Sequence, residues 1–215
     1  ALRVPAVSLP AVEAIQSGEA RLEDIEAAVA EGDGARALSI LQRALADPQR
    51  SSEEQHALHL FGATALPAVA TRDQLVELQW ELRRRGTRDS CLELLVQAAL
   101  WIRDGRCQVA HETLAQRWEE LSPETRLAAA STRMRALQGE PLSVRWRELD
   151  LLEGLVASEV DGAGRILDWR GRLAYADEDF DSSAALAEAV ATRRASERGR
   201  LASLLNAAMA WICLL

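Results

Sequence analysis

Lysine is missing from this chain of 215 residues: all 25 basic side chains are arginine. Asparagine (one), tyrosine (one) and phenylalanine (two) are scarce as well. All four have AT-rich codons, so a GC-rich coding sequence accounts for the gap, with selection against lysine-directed modification, as in a secreted effector, as the sharper alternative. Glycine (12) and proline (6) are sparse, aromatic residues make up 4%, and no long stretch alternates with period two, which argues against a β-rich fold. The three cysteines, Cys91, Cys107 and Cys213, are odd in number, far apart and set among apolar neighbours. They read as free packed thiols in a reducing, cytoplasmic compartment rather than a disulfide framework. The opening "ALRVPAVSLPAV" has one arginine, two prolines and no sustained apolar core, so no signal peptide is expected there. The longest apolar run, Leu204 to Leu215, falls short of the roughly 18 residues a membrane span needs, and no basic amphipathic helix suits a membrane surface.

What is present is alanine, leucine, glutamate and arginine, with 48% hydrophobic residues and a formal net charge of -8. That composition predicts an all-α globular chain long enough to bury a continuous core. Helical punctuation recurs at "EGDG" (31 to 34), "LPAVATRD" (66 to 73), "RDGR" (103 to 106), "QGEP" (138 to 141) and "ADEDFD" (176 to 181). Counted from Gly32, Ala68, Gly105, Gly139 and Glu178, the steps are 36, 37, 34 and 39 residues. Weaker breaks at "DPQRSS", "RRGTRDS", "LSPET", "VDGAG" and "SERG" halve each unit into two helices. Each helix carries an apolar stripe of helical period, as in Leu94, Leu95, Ala98, Trp101 and Ile102. Thr71 with Gln74 forms a capping box, Ser122 precedes a Pro123 suited to a first turn, Asp161 opens a helix, and the run Arg83 to Arg85 closes one. The six tryptophans fall at helix-packing positions and read as core.

These units resemble tetratricopeptide repeats. The residues that carry the resemblance are Ala37, Leu41, Ala44 and Pro48 after the first turn, and Ala98, Gly105, Ala110, Leu114 and Pro123 in the third unit. In the fifth unit they are Gly171 at a close crossing and Phe180 after the turn. Trp101 and Trp211 occupy matching places, as do Ala98 and Ala208. Phe61, Thr132 and Arg117 depart from the pattern, and generic helical repeats of similar period are the alternative fold. The resemblance implies a right-handed superhelical array, an α-solenoid, of about five and a half antiparallel helix pairs over residues 19 to 215, preceded by an extension or cap over 1 to 18. The final apolar helix has neither glycine nor a basic last turn, so the expectation is a fragment whose next helix is missing. One pair cannot bury its apolar face alone, so stacked neighbours would create the core.

Chemistry is harder to find. Asp177, Asp179, Asp181 and Glu188 have the spacing of a calcium loop, but Ser182 stands where the loop needs glycine, and "DSSAALAEAVATRR" is a strong helix with Asp181 or Ser182 as its N-cap. Glu53, His56 and His59 could in principle approach a metal, but no second cluster completes a shell, and His111 stands alone. Cys107 follows a turn glycine and reads as a packed thiol. There is no phosphate loop, no Cys-x-x-Cys and no nucleophile elbow, so neither an enzyme nor a cofactor or metal site is expected. In the tetratricopeptide family the first helix of each unit lines a concave groove. On that resemblance Arg126 and Arg133 share one groove-facing stripe, Arg165, Asp168, Arg172 and Tyr175 share another, and Arg103 edges it. Such arginines would favour a carboxylate-bearing partner, although arginines on solvated faces are also ordinary.

The expected function is a protein-interaction scaffold that takes a partner peptide or helix, an acidic one included, in its groove. A sensory or oligomerising part of a larger transcriptional or signalling regulator is the second reading, and a secreted effector or its chaperone the third. Direct nucleic-acid contact is not expected from an acidic chain whose basic residues do not interleave with aromatics.

Overall fold

Helix boundaries in this chain are set by caps. Asp33 accepts a hydrogen bond from the backbone N–H of Arg36 at 2.9 Å and starts the helix Gly34–Ala46. Ser51 and Glu54 form a reciprocal capping box before Ser52–Ala65, and Thr71 and Gln74 form another before Arg72–Arg84. Pro123 occupies the first turn of Pro123–Ala136, where its missing N–H costs nothing. The computed structural model describes residues 22–84, 90–156, 159, 162–193, 204, 207–210 and 213. Among these the protein is all-helical, with no strand. The helices are α1 (Leu22–Ala30), α2 (Gly34–Ala46), α3 (Ser52–Ala65), α4 (Arg72–Arg84), α5 (Ser90–Arg103), α6 (Cys107–Gln116), α7 (Pro123–Ala136), α8 (Leu142–Val156), α9 (Gly162–Ala176) and α10 (Phe180–Arg193). No described helix is long and apolar enough to cross a membrane. Asp161, Arg85, Trp211 and the residues before Leu22 lie outside the described residues.

The chain divides into two compact units, one ending at Asp104 and the other starting at Gly105. In the first, sequential helices pack on one another, and α2 also packs on α4 and α3 on α5. The shared core holds Ile25, Leu41, Leu45, Leu75, Leu78 and Leu92, all fully buried. Each such leucine contributes about 2 kcal/mol by leaving water. In the second unit α6 to α10 pack in sequence around Leu114, Leu149, Leu152, Ile166 and Leu173, and the contact between α9 and α10 is the most extensive. Small residues sit where helices meet: Ala37, Ala44, Ala98 and Ala110 are buried. Ala208 is not among them, because it is exposed while Ala207 and Ala210 are buried. Trp118 and Trp169 are core, but Trp80, expected to be buried, is 70% exposed on α4.

The reversals between helices share a geometry. Gly32, Gly105 and Glu178 all adopt a left-handed backbone, with φ of 78°, 74° and 63°. After α1 the N–H of Asp33 reaches the carbonyl of Ala28 and that of Gly32 the carbonyl of Val29. After α9 the N–H of Asp179 reaches Ala174 and that of Glu178 reaches Tyr175 in the same register. Both are Schellman caps. Asp179 then accepts from the backbone N–H of Ser182 at 3.1 Å, as Asp33 does from Arg36, and the Ser182 hydroxyl together with this backbone bond holds its carboxyl below the usual range. The cap of α10 is therefore Asp179, two residues before Asp181 and three before Ser182, the expected caps, because the left-handed turn ends there.

Glu178 holds a conformation that favours glycine, at a cost of roughly 1 kcal/mol. Glu178→Gly is expected to raise stability by about that amount in chemical denaturation. Gly34 is the opposite case: a Cβ there would lie 2.9 Å from both the Ala70 Cα and the Val69 carbonyl oxygen, backbone atoms that cannot step aside. Gly34→Ala is expected to cost roughly 1 to 3 kcal/mol in the same measurement.

Candidate functional site

The α9 sequence "GAGRILDWRGRLAYA" places Asp168, Arg172 and Tyr175 one turn apart along one face. Ser183 and Ala187, also one turn apart, come from α10, and the Ser183 hydroxyl donates to the Gly171 carbonyl at 2.9 Å, fastening the two helices where both approach closely. Together with Leu167, Gly171 and Met209 these side chains line a cleft of about 420 Å³ in the second unit. Its walls are largely apolar, and Asp168 is only 8% exposed. Oδ2 of Asp168 lies 3.1 Å from the Arg172 guanidinium, whose side chain is 66% exposed. At the far end Tyr175 packs edge-on to Phe180 with ring centroids 5.3 Å apart. Its hydroxyl lies 3.6 Å from the Cys213 sulfur, an interaction that pushes the phenol pKa up. The cleft has the size and the apolar-with-few-polar character of a small ligand or side-chain pocket.

The other groove candidates go elsewhere. Arg165 is exposed on α9 and does not line the cleft. Arg126 is half-buried, 3.6 Å from the Glu159 carboxylate. Arg103 is exposed at the end of α5, in the first unit. Arg133 is 2% exposed: its guanidinium lies 2.7 Å from Oε1 of Glu148 and 5.4 Å from the Trp118 ring centre. Instead of facing a groove, Arg133 is committed to the core of its unit.

His111, which looked solitary in the sequence, belongs to the same buried group, with Nε2 3.2 Å from that carboxylate oxygen. Both approaches to Oε1 are ion-pair contacts that fall outside good hydrogen-bond alignment. Burial pushes the Glu148 carboxyl pKa up, but His111 and Arg133 outweigh it and hold the group below its ordinary value. Burial lowers the Arg133 pKa against the pull of Glu148. The sequence signal for this group was a carboxylate on an apolar stripe: Glu148 precedes Leu149 and Leu152 on the buried face of α8. His111 and Glu148 also floor a second depression of about 370 Å³, with Leu137, Val144, Arg147 and Leu151 around it.

Glu53 and His56 are exposed whereas His59 is buried, so the three do not converge, and no cluster of metal-ligating residues occurs among the described residues. No protein-family model, curated protein or solved structure matches the chain.

Removing one partner of a buried ion pair leaves the other charge uncompensated. Glu148→Ala is therefore expected to cost roughly 3 to 5 kcal/mol, and the double change Arg133→Met with Glu148→Met less than that, both read by urea unfolding. Because the folded Glu148 pKa is depressed, its contribution is fully present above the unfolded value of about 4.3 and is lost as pH falls through the native one. The gap in stability between the native protein and Glu148→Gln should accordingly narrow in acid.

Proposed function

We propose that this protein is a non-catalytic binding scaffold, a tetratricopeptide-like helical array, and that the cleft between α9 and α10 receives a side chain from a partner peptide or helix. The observation that carries the proposal is the gathering of Asp168, Arg172 and Tyr175 with apolar Leu167, Ala187 and Met209 around one open cavity. Helices α9 and α10 supply all of the named lining except Met209, which suits recognition by a preformed surface. The polar groups among the described lining residues are the kind that fix the orientation of a guest, since they include a buried carboxylate and a phenol.

Selection of a displayed random-peptide library on the immobilised protein tests this. Ala187 lines the cleft without being fully buried, so Ala187→Trp fills the cavity from a helix surface. Recovered peptides should bind Ala187→Trp at least about tenfold more weakly, a loss of about 1.4 kcal/mol, with helicity unchanged by circular dichroism. Peptides indifferent to Ala187→Trp but lost on Trp80→Ala would place recognition on the exposed tryptophan of α4 and overturn the cleft reading.

A further inference from the structure

Helix α8 sets Val144, Arg147, Glu148 and Leu151 at helical spacing, and all four line the second depression, of about 370 Å³, with the half-buried ring of His111 from α6 and with Leu137 at the end of α7. The depression shares no lining residue with the α9–α10 cleft. Its volume lies in the range of small-ligand sites. Val144 is 39% exposed and Leu151 53%, so two aliphatic side chains seven residues apart stay in contact with water, and a guest that covers them recovers the benefit of removing that apolar area from solvent. Charge in the depression is unbalanced. The Glu148 carboxylate is already engaged, with Arg133 2.7 Å and His111 3.2 Å from Oε1. Arg147 is exposed, and among the described residues no carboxylate lies within ion-pair distance of it. Arg126 and Arg170 of the same unit do have acids beside them, Glu159 for the first and Asp150 with Glu153 for the second. An uncompensated guanidinium therefore stands at the edge of an apolar hollow.

We infer that this depression binds a small amphiphilic carboxylate, a free acid of the fatty or aryl-alkanoic class: its apolar body lies along Leu137, Val144 and Leu151, and its carboxylate accepts hydrogen bonds from the Arg147 guanidinium. A guanidinium offers paired N–H donors in one plane, so the ion pair also orients the guest. Glu148 does not bar an anion, because Arg133 and His111 already face its oxygen. A cation would meet the unpaired charge of Arg147, and a neutral guest would leave that charge unused. Because Arg147 is solvated, the ion pair adds modestly to affinity; covering the aliphatic side chains supplies most of it, and the guanidinium supplies the selectivity.

The three histidines make the test direct, because His111 lines the depression while His56 and His59 sit on α3 in the other unit. With ring-labelled histidine, the full chain is titrated at constant pH with octanoate, octanamide and octylamine and followed by NMR. Octanoate should shift the His111 ring signals saturably at about fivefold lower concentration than octanamide, leaving His56 and His59 unmoved, and octylamine should be weakest. Arg147→Gln, a change at an exposed position with no ion pair to lose, should bring octanoate to the level of octanamide and leave octanamide as it was. Leu151→Ser should weaken all three alike. Equal binding of octanoate and octanamide, a preference for octylamine, or selectivity that survives Arg147→Gln overturns the inference. A glycine peptide ending in leucine with a free carboxylate, if it shifts His111 at lower concentration than octanoate, overturns it as well and assigns the depression to a chain terminus instead. If no probe moves His111 the inference fails outright, and the α9–α10 cleft is still decided separately by the peptide selection on Ala187→Trp.

Discussion

The tight reversal between consecutive helices is the constraint from which the rest of each unit follows. Only three residues separate α1 from α2, and only three separate α9 from α10. In both turns a left-handed residue closes a Schellman cap and the aspartate after it caps the next helix. No slack remains, so the second helix must lie against the first, and the residues facing each other across the turn must be small or interlocked. Ala28 and Ala37 in the first unit and Ala174 and Ala184 in the second, all near these turns, are small and buried. The α9–α10 cleft is a consequence of the same geometry. Close approach at Gly171 and Ser183 brings the helices together there, while Leu167, Asp168 and Ala187 line the space beside that contact.

Burying the Arg133–Glu148 pair is a different kind of constraint. Apolar packing tolerates sliding, but a buried carboxylate 2.7 Å from one cation and 3.2 Å from an imidazole has few alternative registers. Such a group adds little net stability over a well-packed apolar replacement. Its effect is to fix α6, α7 and α8 relative to one another, since His111, Arg133 and Glu148 come one from each. Trp118, in the short helical turn between α6 and α7, adds its ring to the same group, with its centre 5.4 Å from the Arg133 guanidinium.

Helix existence and boundaries were legible because they depend on local signals. The turns at 31, 66, 103, 138 and 176, the Thr71–Gln74 box and Pro123 all stand where the pattern put them. The start of α10 was misplaced by two or three residues because Glu178, unlike Gly32, gives no warning of a left-handed turn. The candidate site was only half legible. Asp168, Arg172 and Tyr175 share a face by period alone, and the structure brings them to one cavity. Which arginines stay solvated depends on acids far away in sequence, and periodicity carries no information about those. Arg126 meets Glu159, Arg133 meets Glu148, and Arg170 meets Asp150 and Glu153. Trp80 was misjudged for a related reason, since periodicity on a mixed face of α4 does not tell which aromatic is left exposed by the described helices.

These pairings also narrow the recognition argument. An arginine count on one face suggests a surface for acidic partners only while the arginines remain unengaged. On α7 the guanidinium of Arg133 is buried against Glu148 and that of Arg126 is drawn to Glu159, so neither offers a bare charge to a carboxylate. On α9 the inequality runs the other way. The carboxylate of Asp168 is the desolvated member of its contact with Arg172, and Arg172 the solvated one. An exposed arginine can return to water at little cost, whereas a buried aspartate cannot, so the two ends of this contact are not equivalent.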